Sequence, residues 1–111
     1  MVLPKKYRLA DKLEIEKVFK KGKIINSNLF FIRFSRNHLF FSRFVIMVSS
    51  KISKKAVTRN KIKRRLSEII RSGILENGPG YDLIIATKPK VLNQKYDELK
   101  EALIKEVDKI K

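Results

Sequence analysis

Residues 54–72 read KKAVTRNKIKRRLSEIIRS, and their spacing predicts an amphipathic helix with a basic outer face. At about 100° per residue, the aliphatic side chains fall within roughly a third of the circumference. They are Ile62, Leu66, Ile69, Ile70 and, just past the helix, Ile74. The side chains almost opposite this stripe are Asn60, Arg64, Ser67 and Arg71. We therefore expect the helix to lie on a sheet through its aliphatic stripe, with Ser53 as its N-cap.

The predicted helix belongs to a stretch without acidic residues. From Lys17 to Ser67 the chain carries fifteen lysines and arginines and no aspartate or glutamate, and the whole chain has a formal net charge of +16. Helices that merely show charge to water usually alternate its sign, which gives favourable pairs four residues apart. Here like charges stand four apart at Arg59 and Lys63, and again at Lys61 and Arg65. Such a surface repels itself, so we expect a polyanion to neutralise it.

Three surroundings suit a basic amphipathic helix: water, an anionic membrane or acidic protein, and nucleic acid. A solvated face is the usual meaning of a charge run, but the missing acids argue against it here. A membrane-bound helix would favour Trp or Phe on an apolar face that here offers only Ile and Leu. Asn60 adds an amide that donates to and accepts from phosphate, ribose or a base edge. Nucleic acid is therefore the predicted partner.

RNA is favoured over DNA. The sequence shows no helix-turn-helix layout, and the basic helix is placed between strands rather than free to enter a groove. Aromatic strands give a second indication, because single-stranded RNA is held by stacking on Phe or Tyr beside basic residues. Most of the seven phenylalanines must build the core, so we expect one or two at most to meet RNA.

Length and composition restrict the function further. With 111 residues, 43% of them hydrophobic, the chain is predicted to form one domain over residues 1–111. The absence of cysteine excludes disulfides, thiolate nucleophiles and the usual zinc ligands. No apolar run reaches the roughly 18 residues of a membrane span, and the first residues lack a signal-peptide core, so the cytoplasm is the expected compartment. The single histidine, His38, falls in a predicted turn, and no catalytic side chain is expected.

The elements before the basic helix are predicted from turn signals and periodicity. Asp11 and Glu14 have the spacing of a capping box and mark a helix start, and Gly22 is the predicted left-handed stop of that helix. Strands are expected at Leu29–Phe34 and Phe40–Val48, as an antiparallel pair. The alternation in the first strand separates Phe30, Ile32 and Phe34 on one face from Phe31 and Arg33 on the other.

The elements after the basic helix complete the predicted fold. Asn77–Gly80 is a turn signal, Tyr81–Thr87 a buried strand, and residues 92–110 an amphipathic helix. The predicted order is helix, two or three strands, basic helix, strand and helix. A single sheet with helices packed on it, in the α+β class, is the expected architecture.

Residues 56–68, AVTRNKIKRRLSE, resemble the signature helix of the protein subunit of bacterial ribonuclease P. Residues 19–22 (FKKG) and Phe30 resemble the end of that family's first helix and its first long strand. Residues 43–49 (RFVIMVS) and 82–86 (DLIIA) are similar to the strands on either side of the signature helix. The resemblance covers residues 5–110. It implies a compact α/β sandwich with a left-handed strand–helix–strand crossover, although the right-handed form is the general rule.

The resemblance also implies a function. In the family, an RNA subunit uses bound Mg²⁺ to remove the 5′ leader of precursor tRNA, and the protein binds that RNA and the leader without an active site or small-molecule cofactor of its own. The residues that would contact the catalytic RNA are Lys51, Lys54, Lys55, Arg59, Asn60, Lys61, Lys63, Arg64 and Arg65. Phe19 and Phe30 would line the leader site. The alternative is a non-catalytic RNA-binding structural protein such as a ribosomal component.

Three residues depart from the family pattern that the resemblance implies. Val45 stands where the family usually has Gly, and Ile15 where an aromatic residue is common. Ser67 replaces a usual Arg and removes one charge from the basic helix. We expect these departures to affect the leader contacts more than the contacts to the RNA subunit.

Overall fold

The computed structural model describes residues 4–73 and 80–110. It contains one four-stranded sheet with helices on both of its faces, which confirms the predicted α+β class. The strands are β1 (Lys23–Asn26), β2 (Phe30–Arg36), β3 (Arg43–Met47) and β4 (Tyr81–Thr87). The helices are α1 (Lys12–Lys21), α2 (Ala56–Gly73) and α3 (Tyr96–Asp108), with short 3-10 turns at Lys5–Tyr7 and Pro89–Asn93. The basic helix predicted over 54–72 is therefore confirmed as α2.

The order of the strands is β1-β2-β4-β3. β4 lies between β2 and β3, antiparallel to the first and parallel to the second. The prediction that Leu29–Phe34 and Phe40–Val48 form a pair was wrong, because the third predicted strand separates them. β4 carries Leu83, Ile84 and Ile85 buried in succession, and a strand that is apolar on both faces is most stable at the centre of a sheet.

α2 is the crossover between the parallel strands β3 and β4. Parallel neighbours cannot be joined by a tight hairpin, so a connection across one face of the sheet is obligatory. The left-handed sense of this crossover stays a prediction from the resemblance. The consequence for function is that the basic helix is fixed at both ends by strands of the same sheet.

The main core lies between the sheet and the pair α2 and α3. Phe30, Ile32, Phe44, Leu83 and Ile85 cover this face of the sheet, and all are buried. The stripe residues Ile62, Leu66, Ile69 and Ile70 close the core from α2, and Leu99, Leu103 and Val107 close it from α3. The predicted stripe is thus confirmed, except for Ile74, which lies outside the described residues. So does most of the predicted turn at 77–80.

α1 covers the opposite face of the sheet. Leu9, Val18 and Ile84 form a small buried cluster there, and Ile15 and Val45 pack against it. The predicted cap is confirmed, since Asp11 accepts hydrogen bonds from the backbone N–H groups of residues 13 (2.8 Å) and 14 (3.3 Å). Both faces of the central strand β4 are therefore covered by helices.

The helix end at Gly22 differs from the prediction. Gly22 is extended, with φ −73° and ψ 154°, so the expected left-handed conformation was wrong. Glycine is needed for another reason. A Cβ at this position would lie 2.3 Å from the carbonyl oxygen of Val18 and 3.0 Å from that of Phe34, both of which are backbone atoms. The close approach of α1 to β2 therefore depends on a residue without a side chain.

Candidate nucleic-acid interface

Nine residues in the segment 51–65 form a surface that we call the basic patch. Its exposed members are Lys51, Lys54, Lys55, Asn60, Lys61 and Arg64. Its half-buried members are Arg59, Lys63 and Arg65, which flank the buried stripe of α2. The structure thus brings all nine predicted RNA-binding residues together, on the first three turns of α2 and the loop before it.

Hydrogen bonds hold the loop against the start of α2. The Ser53 hydroxyl accepts from the backbone N–H of Lys55 at 3.2 Å, so Ser53 caps the turn that precedes the helix. The guanidinium of Arg59 donates to the Ser53 carbonyl oxygen at 2.8 Å. Ile52 anchors the same loop in the core. Arg59 therefore has a structural role, while the exposed cations around it keep their side chains for a partner.

The charge of the basic patch is not balanced within the described part of the chain. Four ion pairs are found among residues 4–73 and 80–110, and none of them includes a patch residue. Guanidinium and ammonium groups four residues apart repel each other at close range. Bringing phosphate oxygens to this surface would remove that repulsion and satisfy the free donors together.

Ser67 lies elsewhere than predicted. It was expected almost opposite the aliphatic stripe, but its side chain is 0% exposed and its hydroxyl donates to the carbonyl oxygen of Lys63 at 2.8 Å. The reason is that α2 packs against both β3 and α3, so its buried sector is wider than the stripe alone. Asn60, Arg64 and Arg71 are exposed as predicted. The lost charge at Ser67 therefore comes from a position that faces the protein interior.

An aromatic cleft lies beside α1 on the face of the sheet away from α2. Phe19, 43% exposed, projects from the last turn of α1. The guanidinium of Arg33 lies 5.1 Å from the ring centre of Phe19 and 5.3 Å from that of Phe31. Arg33 also donates to the Phe19 carbonyl oxygen at 3.5 Å. A cation held between two rings fixes their orientation and leaves part of each ring open to a ligand.

The register of the strands extends this cleft across the sheet. Phe31 pairs with Ala86 in β4, and Ala86 pairs with Met47 in β3. These three residues point to the α1 side and are only partly buried, and Met47 is 47% exposed. We define the leader cleft by Phe19, Arg33 and this row. Since Met47 ends β3, the chain leaves the cleft and enters the loop that carries the basic patch.

The prediction that Phe30 lines the leader site was wrong. Its side chain is 0% exposed and belongs to the main core on the other face of the sheet. The neighbouring residues Phe31 and Arg33, which the prediction missed, carry the exposed surface instead. The alternation of β2 already separated these two from Phe30, and that pattern was the available signal.

Two of the three departures from the family pattern lie in one place. Ile15 and Val45 both pack against the buried cluster beneath α1, and Val45 stands directly across from Ile84 in the register. The side chain at 45 thus fills space between the sheet and α1. These two residues therefore lie beneath α1 and outside the basic patch.

Arg43 is a further cation of the acid-free segment that supports the fold. Arg43 forms a two-bond pair with the buried carboxylate of Asp82, at 2.8 Å and 2.7 Å, and Asn37 donates to the same carboxylate at 2.9 Å. The hydrogen bonds that Arg43 donates to the Asp82 carboxylate raise the pKa of Arg43. Arg43 therefore stabilises the end of the sheet where β3 and β4 begin and is not a candidate for phosphate binding.

The described residues do not group into a cluster of metal-binding side chains. Mg²⁺ prefers carboxylate and other oxygen ligands. In residues 4–73 and 80–110, no three His, Cys, Asp or Glu side chains converge.

In the same part of the chain, no helix combines the length and apolarity needed to cross a membrane.

A basic crossover helix on an α+β scaffold, beside a half-open aromatic cleft, defines a small RNA-binding protein. The Ribonuclease P family model matches residues 3–111. The ribonuclease P protein component of Synechocystis sp. is 35% identical over 98 residues, covering 87% of this chain and 79% of the relative. The component of Mycoplasma mycoides is 35% identical over 99 residues, covering 88% and 90%.

Solved structures agree with these sequence matches. The RNase P protein of Thermotoga maritima superposes with a TM-score of 0.79 at 28% identity, covering 88% of this chain and 92% of that one. The Staphylococcus aureus RNase P protein superposes with a TM-score of 0.80 at 26% identity, covering 95% of each chain. The chain therefore belongs to the ribonuclease P protein family. As a protein component of this endoribonuclease complex, it acts with an RNA subunit in tRNA 5′ processing.

Proposed function

We propose that the basic patch binds the catalytic RNA subunit and that the leader cleft binds the 5′ leader of precursor tRNA. The observation that carries this proposal is the continuity of the two surfaces. The cleft ends at Met47, and the loop that follows carries Lys51, Lys54 and Lys55 into α2. An RNA strand in the cleft would therefore run beside a surface that holds a second RNA.

The two surfaces suit different parts of the RNA. The patch offers point charges, guanidinium groups and the Asn60 amide, which recognise phosphates and ribose without regard to sequence. The cleft offers ring faces and the Arg33 guanidinium plane, on which unpaired bases stack. A folded RNA subunit matches the first surface and a single-stranded leader matches the second.

We propose that the RNA subunit carries the chemistry and holds the required Mg²⁺. The patch consists of lysines, arginines and one asparagine, so it offers hydrogen-bond donors to phosphate but no carboxylate or imidazole to act as a general base. The protein would contribute by lowering the repulsion between two polyanions and by positioning the leader. Only the precursor has a leader to fill the cleft, so this arrangement favours precursor over mature tRNA. No small-molecule cofactor enters this scheme, and the cytoplasm is the proposed compartment.

The decisive experiment compares cleavage with and without the protein. The cognate RNA subunit is given precursor tRNA at low Mg²⁺, and release of the leader is measured. We expect cleavage to increase when the protein is added, and the increase to shrink for a precursor whose leader is a single nucleotide. The protein without the RNA subunit is the matched control and should release nothing.

Each outcome decides between function classes. A failure to stimulate the RNA subunit would favour a structural RNA-binding protein, such as a ribosomal component, over the proposed function. Leader release by the protein alone would move the chemistry to protein side chains. Equal stimulation of long and single-nucleotide leaders would remove the role of the cleft but keep that of the patch.

A further inference from the structure

The loop of residues 37–42, which we call the aromatic loop, presents a phenylalanine to solvent. It joins the end of β2 to the start of β3. Phe40 is 100% exposed at its tip, and Leu39 beside it is 38% exposed. His38 has φ 62°, a left-handed conformation that a non-glycine residue adopts at a cost. The ring of Phe40 therefore adds nothing to the core and is open to a binding partner.

The side chain of Asn37 holds this conformation. Its Oδ1 accepts from the backbone N–H of Leu39 at 2.8 Å, and its Nδ2 donates to the carbonyl oxygen of Phe41 at 3.1 Å. The same Nδ2 donates to the buried Asp82 carboxylate at 2.9 Å. Gly80 lets the loop approach, because a Cβ there would lie 2.4–2.6 Å from three oxygens of residues 37, 39 and 41. Phe40 is therefore presented by a pre-formed loop, which lowers the entropic cost of binding.

Aromatic and basic side chains support the loop from one side. Phe41 meets Tyr7 edge to face, with ring centres 5.7 Å apart. The ammonium group of Lys6 lies 4.5 Å from the ring centre of Phe41. Phe41 is thus occupied within the fold, and Phe40 is the loop aromatic that is left for a partner.

A basic groove adjoins the other side of the loop. It is lined by Glu14, Lys17, Lys21, Ser35, Arg36, Asn37, His38 and Asp82. Its two carboxylates are already engaged, since Asp82 binds Arg43 at 2.7 Å and Glu14 lies 3.7 Å from both Arg43 and Lys17. Lys21 and Arg36 make no ion pair within the described ranges. The groove therefore offers cationic donors to an anion a few residues from an exposed ring.

This surface lies at the opposite end of the sheet from the basic patch. The patch follows the last residue of β3, whereas the aromatic loop precedes the first. In the strand register, Ser35 and Arg43 lie on either side of Asp82, at one end of the sheet. Phe31 and Met47 lie on either side of Ala86, at the other end. The two surfaces are separate in the fold.

We propose that the aromatic loop and its groove form a second RNA contact, in which Phe40 stacks on an unpaired base and the groove holds the neighbouring phosphate. The proposal rests on the proposed function only in taking the partner to be RNA. A second copy of this chain is a poor occupant, because each copy carries a net charge of +16 and the groove is itself basic. A ring beside cations is the combination that binds single-stranded RNA.

The test uses the fact that the sequence contains no tryptophan. A Phe40→Trp variant therefore reports from this loop alone. We expect its fluorescence to be quenched when the RNA subunit is added, because a base stacks on the indole. The matched control is Ile104→Trp on α3, outside the loop and its groove, where carboxylates and ammonium groups are mixed; its emission should not change.

Affinity for the RNA subunit supplies the second measurement. Loss of one base–aromatic stack weakens binding by about five- to a hundredfold, so Phe40→Ala should bind roughly tenfold more weakly, and Phe40→Tyr should retain affinity. Retained affinity in Phe40→Leu would mean that an apolar contact suffices and would overturn the stacking proposal. A dimer that is lost in Phe40→Ala, measured by sedimentation without RNA, would assign the loop to a second copy and also overturn it.

An Arg64→Ala variant separates this proposal from the proposed function. If Arg64→Ala loses affinity for the RNA subunit while Phe40→Ala does not and Phe40→Trp keeps its emission, the second contact is refuted and the basic patch stands. If the unmodified protein does not bind the RNA subunit, both proposals fail.

Discussion

Replacing Arg64 by Ala tests the electrostatic basis of the proposed interface. The basic patch has eight cations, and Arg59 is engaged with the Ser53 carbonyl oxygen, which leaves seven to neutralise phosphates. Each neutralised phosphate contributes about 0.9 to the slope of log affinity against log salt for a duplex, so seven predict a fall of roughly three to four orders of magnitude between 50 and 200 mM. Removing one contact should reduce the slope by about one.

The change in slope has a measurable consequence for the ratio of affinities. Arg64→Ala should bind the RNA subunit more weakly at all salt concentrations. The ratio of the unmodified protein's affinity to that of the variant should fall about threefold between 50 and 200 mM salt. Filter binding or fluorescence anisotropy over this range would measure both quantities. Arg71→Ala is the matched control, because Arg71 is exposed on the same side of α2 but lies beyond the patch.

Two results would contradict this reasoning. Equal slopes for Arg64→Ala and the unmodified protein would show that Arg64 neutralises no phosphate. A loss of cooperative unfolding in Arg64→Ala would show that the side chain supports the fold, although it is exposed and makes no ion pair within residues 4–73 and 80–110.

Three further predictions concern the cleft and the fold. Phe19→Ala should weaken binding of leader-bearing precursor about tenfold and leave mature tRNA unchanged, because one base stack is lost; equal losses for both RNAs would contradict it. Gly22→Ala should lower the free energy of unfolding by about 1–3 kcal/mol, measured with urea, because the alanine Cβ would overlap the carbonyl oxygen of Val18. An unchanged urea midpoint would refute the close packing of α1 on β2 at this residue. Arg43→Ala should lower the free energy of unfolding by about 2–4 kcal/mol, since it leaves the buried Asp82 carboxylate without its main partner. Because the pKa of Arg43 is raised in the folded protein, its contribution to stability is lost only as the pH rises through that raised pKa, so the loss of stability in Arg43→Ala should be equal at pH 7 and pH 9.

The sequence predicts the faces of the elements well, because a face depends only on local periodicity. The stripe Ile62, Leu66, Ile69 and Ile70 is buried as the helical period requires, and the alternation of β2 separates Phe30 from Phe31. Periodicity also places Asn60, Arg64 and Arg71 on the exposed side of α2, whereas the full set of nine patch residues was assigned by the resemblance. These properties are set within a few residues of each position.

Features that depend on distant residues were missed. The pairing of β2 with β4 rather than β3 joins residues about fifty positions apart, and no local pattern specifies which strand lies next to which. The burial of Ser67 follows from the packing of α3 beside α2, and the extended form of Gly22 from the approach of β2. Phe30 was placed at the leader site by resemblance, although the alternation of its strand put it on the same face as Ile32 and Phe34.

The central position of β4 has a consequence for biosynthesis. β4 is the last strand to leave the ribosome, and until residues 81–87 emerge, β3 lacks its only neighbouring strand in the described sheet. During that interval the whole acid-free segment has been translated but cannot be held in its final place. A nascent chain shorter than about eighty residues therefore lacks the central strand of the sheet, and its acid-free segment can be fixed in place only after β4 arrives.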